Sequence, residues 1–406
     1  MKNRDEYLKK LIVFKDKSQI KVITGVRRCG KSALLELFKE YLLKECNADA
    51  KNIVQINFEL EEFRNIVDST DLYDYIKERI KKTKGTVYLL LDEIQVVKNW
   101  EKAVNSLNID SDVDIYITGS NAYLLSSELS TFLSGRYVEI KMLPLSYKEF
   151  LDFNNLESSR ENFDLFLKYG GMPAVSEYEF NEVGTYTMLE GIYSTAMLKD
   201  VIERNNFGNE KLLRNIVLYL SDNIGSFISA RNISNYLSSN KEYVEDEKKG
   251  TGHSTVLSYI SALEKAFIFY PVSRYDIKGK EYLKTLQKYY IVDTGIRNML
   301  LGYRDVDRGH ILENVVYLEL LRRGYKVSIG KVGSKEVDFV ATKPDEKTYF
   351  QVTESLLDKS VKERELSALQ SIKDHHEKVI LSMDVNFVMS ENGIKFKNII
   401  DFLLEE

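Results

Sequence analysis

Near its N-terminus the chain carries Gly25-Val26-Arg27-Arg28-Cys29-Gly30-Lys31-Ser32, a full match to the pattern G-x-x-x-x-G-K-[ST]. Residues 19–25 predict a short buried strand before it, and residues 33–43 have the apolar spacing of a helix after it. This order favours a phosphate-binding loop, because glycines let successive backbone N–H groups point at one phosphate at the positive end of a helix. We expect Lys31 to contact the β- and γ-phosphates and Ser32 to contact Mg²⁺. The residues expected to line the nucleotide are Gly25, Val26, Arg27, Arg28, Cys29, Gly30, Lys31, Ser32 and Ala33.

A second motif closes an apolar run further along the chain. Residues 86–91 are Thr-Val-Tyr-Leu-Leu-Leu, and Asp92 and Glu93 follow directly. Such runs are typical of parallel strands that are buried on both faces. Because a phosphate-bound metal needs a carboxylate at the end of a neighbouring strand, we expect Asp92 to hold Mg²⁺ and Glu93 to act as general base for the attacking water. The alternative is a strand end with two solvated acids.

Two further segments carry three candidates for contact with the γ-phosphate. Residues 114–121 predict a third strand, which places Ser120 or Asn121 at the edge of the sheet where the phosphate-binding loop lies. Arg136 follows a Ser-Gly turn and could reach a γ-phosphate, either in its own chain or across a subunit boundary. A solvated surface arginine is the alternative for Arg136.

Length and composition exclude several classes of protein. The chain has 406 residues, of which 44% are hydrophobic and 29% charged, which indicates two to three globular domains. No apolar run reaches the roughly 18 residues of a membrane-spanning helix, and residues 1–6 lack the apolar core of a signal peptide. We therefore expect a cytoplasmic location without membrane contact. Two cysteines and four histidines leave little for a disulfide framework or a metal cluster.

Residues 208–305 differ from the rest in charge and in pattern. Between Lys211 and Asp305 we count 14 Lys or Arg against 10 Asp or Glu, although the whole chain carries a net charge of -5. The pattern predicts three helices and then two strands, at residues 212–224, 229–237, 254–266, 267–273 and 289–293. This is the order of a winged helix-turn-helix, which makes residues 254–288 a candidate surface for DNA contact. The phosphate contacts would come from Lys278, Lys280, Lys284 and Lys288. The third helix exposes mostly Ser, Thr and Tyr rather than base-reading side chains, so a protein partner is the alternative.

The C-terminal residues predict an α/β domain in which acids follow one another in a particular order. A helix at 311–325 carries Glu313, a strand at 336–341 carries Asp338, and the next strand carries Gln351 and Thr353. This order is similar to the restriction-endonuclease-like core, in which carboxylates hold a divalent metal and a lysine orients the water. Here a glutamine replaces the second acid and a threonine replaces the lysine. We therefore expect a binding or scaffold role, with an active nuclease and an ordinary α/β domain as alternatives.

Taken together, the motifs resemble a known family. The segments that carry the resemblance are Gly25–Ser32, 91–95, 117–121, 133–137 and 143–150. They are similar to the bacterial and archaeal AAA-type P-loop ATPases that carry a C-terminal domain, the AAA_14 plus DUF4143 arrangement. The resemblance implies ATP binding and hydrolysis, a helical lid at 144–207, and an oligomer in which Arg136 lies across an interface. Gly170-Gly171-Met172-Pro173 in the lid also matches the family, and we expect it to be a structural hinge.

The sequence therefore predicts an α/β fold with a P-loop NTPase parallel sheet, a helical lid, a winged-helix-like segment and a restriction-endonuclease-like α/β domain. The expected boundaries are 1–143, 144–207, 208–305 and 306–406. The predicted function is Mg²⁺-dependent ATP binding and hydrolysis that drive a conformational switch in a C-terminal half binding DNA or protein. The alternatives are a non-hydrolysing ATP-dependent switch and a DNA-processing enzyme with residual metal-dependent nuclease activity.

Overall fold

The chain divides into two compact units. A computed structural model describes residues 2, 4–120, 135–239, 252–385 and 389–405. The first unit comprises residues 1–143 with 265–267, and the second comprises residues 144–264 with 268–406. The four domains predicted from the sequence are a finer division, which stays a prediction.

The first unit is built on a sheet of parallel strands. The strands are β1 (Ile20–Thr24), β2 (Ile53–Asn57), β3 (Val87–Asp92), β4 (Val113–Gly119) and β5 (Tyr137–Lys141). They lie in the order β2-β3-β4-β1-β5, and each neighbouring pair is parallel. Every residue of the central strands β1 and β3 is buried, as expected of a parallel sheet covered on both faces. The predicted parallel α/β sheet is confirmed.

The helices of the first unit follow the strands in alternation. They are α1 (Asp5–Val13), α2 (Lys31–Lys44), α3 (Ser69–Ile80) and α4 (Trp100–Asp110). Leu72 of α3 and Trp100 of α4 belong to the same buried cluster as Leu89 of β3. Because α2 begins only a short loop after β1 ends, the N-terminus of α2 lies at the edge where the carboxyl ends of the parallel strands meet.

The second unit contains a mixed sheet. Its strands are β6 (Phe227–Ile228), β7 (Phe269–Asp276), β8 (Glu281–Ile291), β9 (Lys326–Val332), β10 (Lys335–Lys343), β11 (Glu346–Val352), β12 (Glu377–Ser382), β13 (Ser390–Glu391) and β14 (Ile394–Asn398). The order is β13-β14-β12-β11-β10-β9-β7-β8-β6. Strand β7 pairs in parallel with β9, so the hairpin of the predicted 208–305 segment continues into the sheet of the predicted 306–406 segment.

The helices of the second unit precede and interleave these strands. They are α5 (Tyr147–Asn154), α6 (Arg160–Tyr169), α7 (Glu182–Gly191), α8 (Lys199–Asn205), α9 (Glu210–Asp222), α10 (Ala230–Ser239), α11 (His253–Lys265), α12 (Thr294–Leu301), α13 (Arg308–Arg322), α14 (Lys359–Gln370) and α15 (Ile399–Leu404). No helix in the described part of the chain has both the length and the apolar character needed to cross a bilayer. The cytoplasmic location stays a prediction.

The glycine pair after α6 is held by a buried acid. Asp293 caps α12 by accepting the N–H of Ile296 at 3.0 Å, and its other oxygen accepts the N–H of Gly171 at 2.7 Å. Gly170 has a φ of +77°, and a Cβ there would lie 2.2 Å from the Asp293 carboxylate. Gly170 is therefore required because the backbone wraps closely around a carboxylate. Gly171 is required for a different reason, since a Cβ there would lie 2.4 Å from the carbonyl oxygen of Leu145. Burial raises the pKa of Asp293 to about 6, although backbone N–H groups oppose the shift.

Candidate nucleotide site and acidic cavity

The phosphate-binding loop and the two acids of the second motif lie at one edge of the first sheet. The loop joins β1 to α2, and β3 ends at Asp92 while its neighbour β4 ends at Gly119. Lys31, Asp92 and Glu93 are all at least 94% buried. The structure thus brings together the lysine and the two carboxylates that the sequence pattern associated with one nucleotide.

The ammonium group of Lys31 is engaged by the loop itself. It donates to the carbonyl oxygens of Gly25 at 3.1 Å and Val26 at 3.2 Å. A carboxylate oxygen of Glu93 lies 3.7 Å away, which is beyond a good hydrogen bond. The buried ammonium is therefore solvated by two uncharged carbonyl groups, and its charge is balanced only by one distant carboxylate. A phosphate, which offers a full charge at hydrogen-bond distance, would displace them.

Asp92 is oriented by hydroxyl groups. Thr118 of β4 donates to its carboxylate at 2.5 Å, and the hydroxyl of Ser32 also hydrogen-bonds to it. Burial raises the pKa of Asp92, and these two hydroxyls only partly oppose the shift. Mg²⁺ prefers oxygen ligands of this kind and usually retains water and phosphate ligands as well. Because Ser32 and Asp92 already contact each other, the residues present fit a single magnesium ion.

Glu93 is held as a charged side chain next to Asp92. Its backbone lies in the left-handed region with a φ of +53°, and its N–H donates to the hydroxyl of Thr118 at 2.9 Å. Burial opposes the charge of Glu93, but Lys31 and the amide of Gln95 outweigh burial and lower the pKa of Glu93 below its ordinary value. An ionised carboxylate is the form that a general base requires. Neither Thr118 nor Gln95 was assigned a role from the sequence.

Three of the other loop residues are held by specific contacts, and a fourth is exposed. A Cβ on Gly25 would lie 2.2 Å from the carbonyl oxygen of Met142, which excludes other residues. The buried thiol of Cys29 donates to the same carbonyl at 3.8 Å, and burial raises its pKa. Arg27 forms an ion pair with Glu59, and Arg28 is exposed with a φ of +67°.

An N-terminal arginine also supports the loop, and no sequence motif marks it. Arg4 is 3% exposed and donates to the carbonyl oxygens of Cys29 at 3.1 Å and Leu143 at 2.9 Å. The hydroxyl of Tyr7 accepts the N–H of Leu143 at 3.0 Å. These contacts join positions 139 residues apart in the chain, which sequence spacing cannot reveal.

Of the three candidates for γ-phosphate contact, Ser120 lies at this site, because it is buried directly after the end of β4 and its side chain helps to lower the pKa of Glu93. Arg136 is not assembled with these residues. Asn121 lies outside the described residues. Arg136 donates to the side chain of Asn105 at 2.7 Å, and its carbonyl accepts from Ile20, the first residue of β1. Because β1 and β5 are parallel, Arg136 lies at the amino edge of the sheet, opposite to the loop of its own chain. A role for Arg136 across a subunit boundary stays a prediction.

The acids of the C-terminal part line a cavity of about 700 Å³ in the second unit. Glu313 and Asp338 lie there together with Gln351 and Thr353, as the sequence order predicted. The side chain of Gln351 accepts the N–H of Asp338 at 2.7 Å and donates to Glu365 at 2.5 Å. Among the residues that the structure describes, no three His, Cys, Asp or Glu side chains are arranged to hold a metal ion.

A lysine from the hairpin occupies the centre of this acidic cluster. Lys288 is 4% exposed, and its ammonium lies 2.9 Å from Glu313 and 2.7 Å from Glu336. Burial alone would lower the pKa of Lys288. Nearby carboxylates outweigh burial and raise this pKa, and they are those of Glu313, Asp338 and Glu336. Loss of solvation and the charge of Glu313 raise the pKa of Asp338 well above its ordinary value. The expectation that Lys288 touches DNA phosphates is wrong for this structure, because its ammonium is buried and paired.

Comparisons with known proteins assign family models to two stretches of the chain. Residues 17–151 match the family model of an AAA domain, and residues 160–307 match that of a domain of unknown function, DUF8612. The expected DUF4143 assignment is not confirmed, because the model that matches is DUF8612. The first unit thus carries an AAA domain of the nucleotide-binding P-loop ATPase class.

Two relatives are similar to this chain over most of their length. An uncharacterized protein of Haemophilus influenzae is 41% identical over 409 residues, which cover 100% of this chain and 99% of that protein. Uncharacterized protein MJ1544 of Methanocaldococcus jannaschii is 34% identical over 383 residues, which cover 88% and 79%. The chain belongs to the family of these two proteins. Among solved structures, the Aeropyrum pernix ORC1 protein in complex with DNA is similar at 13% identity over 76% of this chain and 94% of that chain, with a TM-score of 0.34.

Proposed function

We propose that the protein binds ATP with Mg²⁺ at the loop Gly25–Ser32 and hydrolyses it, and that nucleotide state switches the conformation of a partner-binding C-terminal half. The observation that carries this proposal is the convergence of Lys31, Asp92 and Glu93 at the carboxyl edge of the first sheet. Buried charges of both signs, facing one loop of backbone N–H groups, are what a magnesium triphosphate needs for neutralisation.

The residues of the chain would act in a fixed order. Ser32 and Asp92 would hold Mg²⁺, which when bound would neutralise the charge that develops on the phosphates. Lys31 would leave the carbonyls of Gly25 and Val26 and contact the phosphates. Its departure would remove the cation closest to Glu93, whose carboxylate then becomes free to accept a proton from water.

Support for the partner-binding half comes from the elements between Glu210 and Ile291. Helix α9, strand β6, helices α10 and α11 and the hairpin β7–β8 follow in the order of a winged helix. Lys278 and Lys280 in the turn of the hairpin are exposed, whereas the side chain of Lys284 lies outside the described residues. Exposed lysines at a wing favour a nucleic acid partner.

The test measures binding and turnover separately. Titration calorimetry with ATP, with Mg²⁺ and with EDTA, and steady-state phosphate release are recorded for the wild type, Lys31→Ala and Glu93→Gln. Glu62→Gln is the matched control, because Glu62 is exposed in the same unit. We expect Lys31→Ala to lose ATP binding, and Glu93→Gln to lose at least about 100-fold in turnover, as for removal of a general base.

Glu93→Gln has a second expected effect that follows from the geometry. Because Glu93 competes with phosphate for Lys31, its neutralisation should leave ATP affinity unchanged or raise it. Turnover by Glu93→Gln at the wild-type rate would refute the assignment of the base. Absence of ATP binding by the folded wild type would refute the proposal as a whole.

A further inference from the structure

A second cavity in the second unit lies between two hairpins. Strands β7 and β8 form one hairpin and β10 and β11 form the other, and the cavity between them has a volume of about 600 Å³. Cavities of this size hold small ligands rather than a folded partner. Two tyrosines from the first hairpin and lysines from both hairpins line the cavity, together with His376 from the loop before β12. We call this cavity the hairpin groove.

The aromatic part of the hairpin groove is a pair of tyrosines, one half-buried and one exposed. Tyr275 and Tyr282 are directly opposite each other across β7 and β8, and their ring centroids are 5.2 Å apart with an interplanar angle of 60°. Tyr275 also packs against the buried cluster beneath it, which fixes its ring. Tyr282 is 63% exposed. Tyr282 thus presents an aromatic face to solvent beside the Tyr275 ring, which packing holds in place.

Basic groups surround this aromatic surface. The ammonium of Lys347 lies 5.2 Å from the centre of the Tyr275 ring, and Lys280, Lys343 and His376 line the same groove. The acids that line it, Asp345 and Glu346, are both in or next to the turn between β10 and β11. Glu346 lies 4.0 Å from Lys343. The basic groups next to the tyrosines are therefore available to an anion at the end of the groove away from that turn.

We propose that the hairpin groove binds single-stranded nucleic acid, with one or two bases stacked on Tyr282 and Tyr275 and the adjacent phosphates contacted by Lys347 and Lys280. A flat aromatic face beside lysines is the combination that binds single strands without sequence preference. A duplex does not fit this recognition, because its bases are already stacked and its width exceeds such a cavity. This inference rests on the proposed partner role of the C-terminal half, but not on ATP hydrolysis.

The test uses the full chain without ATP. Fluorescence anisotropy measures binding of a labelled oligothymidylate of about 12 nucleotides, a length within the usual site size of single-strand binding folds. The same sequence annealed to its complement is the duplex probe. The variants are Tyr282→Ala, Tyr282→Trp and Lys347→Ala. Tyr178→Ala and Lys359→Ala are the controls, because both side chains are exposed in the same unit and lie outside the groove.

Tyr282→Ala is expected to weaken oligothymidylate binding by about 5- to 150-fold, the range found for loss of one stacked base. Tyr282→Trp should bind like the wild type, since a larger aromatic face is retained. Lys347→Ala should lower the slope of log affinity against log salt by about 0.7, which corresponds to one lost phosphate contact on a single strand. The controls should bind like the wild type.

Three results would overturn the inference. They are equal affinity for the duplex and the single strand, a change below about twofold for Tyr282→Ala, and no oligothymidylate binding by the wild type. ATP binding and turnover are recorded on the same preparation. Normal ATPase parameters without oligonucleotide binding would thus refute the hairpin groove alone, and the reverse result would refute the proposed ATPase alone.

Discussion

Replacement of Lys288 by methionine tests whether a lysine ammonium stabilises the acidic cavity of the second unit. Lys288 is 4% exposed and Glu313 is 8% exposed, and their charged atoms lie 2.9 Å apart. Methionine retains most of the length and apolar volume of the lysine. The substitution therefore removes the charge with little change in packing, and it leaves a buried carboxylate without its cation.

The expected magnitude follows from what remains around Glu313. Removal of one partner from a buried ion pair costs about 3–5 kcal/mol. Glu313 retains the hydroxyl of Tyr290, which donates to it at 2.5 Å, so the lower end of this range applies. The side chain of Glu336 is 38% exposed, and water replaces its ion pair at small cost. We expect Lys288→Met to lower the free energy of unfolding of the second unit by about 3 kcal/mol, which is a factor of about 150 in the opening equilibrium.

Hydrogen exchange followed by mass spectrometry measures this unit separately. Peptides that cover Glu281–Ile291 report on β8, and peptides that cover Ile20–Thr24 report on the first unit as an internal reference. In Lys288→Met, the β8 amides should exchange about 100-fold faster or more, while the β1 amides should change little. Lys359→Met is the matched control, because the Lys359 side chain is 90% exposed and its ion pair should contribute less than about 0.5 kcal/mol.

A second substitution separates electrostatics from packing. Glu313→Gln in the Lys288→Met background removes the buried charge, so it should restore at least about 2 kcal/mol if the cost is electrostatic. Lys288→Met with β8 exchange within about twofold of the wild type would refute the argument. So would a double variant that is as unstable as the single one, because the defect would then lie in packing.

Two further predictions concern the contact between Gly170 and Asp293. Gly170→Ala should destabilise the protein by more than Gly302→Ala in urea unfolding. Both glycines have φ near +78°, so backbone strain costs each variant about 1–2 kcal/mol, but only at Gly170 would the new Cβ also lie 2.2 Å from a carboxylate. Equal destabilisation by the two substitutions would contradict the argument from the close contact. Burial raises the pKa of Asp293 from 3.8 to about 6. Between pH 3.8 and about pH 6 the native state therefore binds a proton at Asp293 that the unfolded state does not bind. The free energy of unfolding thus falls by up to about 3 kcal/mol as pH rises through this window. The difference in unfolding free energy between wild type and Asp293→Asn, measured from pH 4 to pH 7, should therefore decrease with rising pH, and a flat difference would show that Asp293 titrates normally.

The parts of the fold that could be predicted are those marked by a short stretch of sequence, such as an apolar run with a characteristic residue at its end. The three strand ends of the nucleotide site were placed to within a residue or two, because each is an apolar run closed by a glycine or an acid. The helix expected at 311–325 is observed as Arg308–Arg322, and Gly324 follows its end with a φ of +82°.

Elements with one exposed half were predicted too short. The strand expected at 289–293 begins in the structure at Glu281. Tyr289, Tyr290 and Ile291 are buried, whereas Glu281 and Tyr282 are exposed. Only the buried end carries an apolar run, and the remainder of the strand is stabilised by pairing with β7, which a single sequence does not display.

Two of the lysines that the sequence assigned to phosphates, Lys31 and Lys288, show why geometry was needed. Both are buried and both face carboxylates, so composition and burial do not distinguish them. The nearest carboxylate oxygen is 3.7 Å from Lys31, but two lie at 2.7 and 2.9 Å from Lys288. Charge-assisted hydrogen bonds require the shorter distances. An incoming phosphate would have to break two strong ion pairs to recruit Lys288, whereas at Lys31 it would replace only two carbonyl groups and one distant carboxylate. Of these two lysines, Lys31 is therefore the better placed to bind an exchangeable anion.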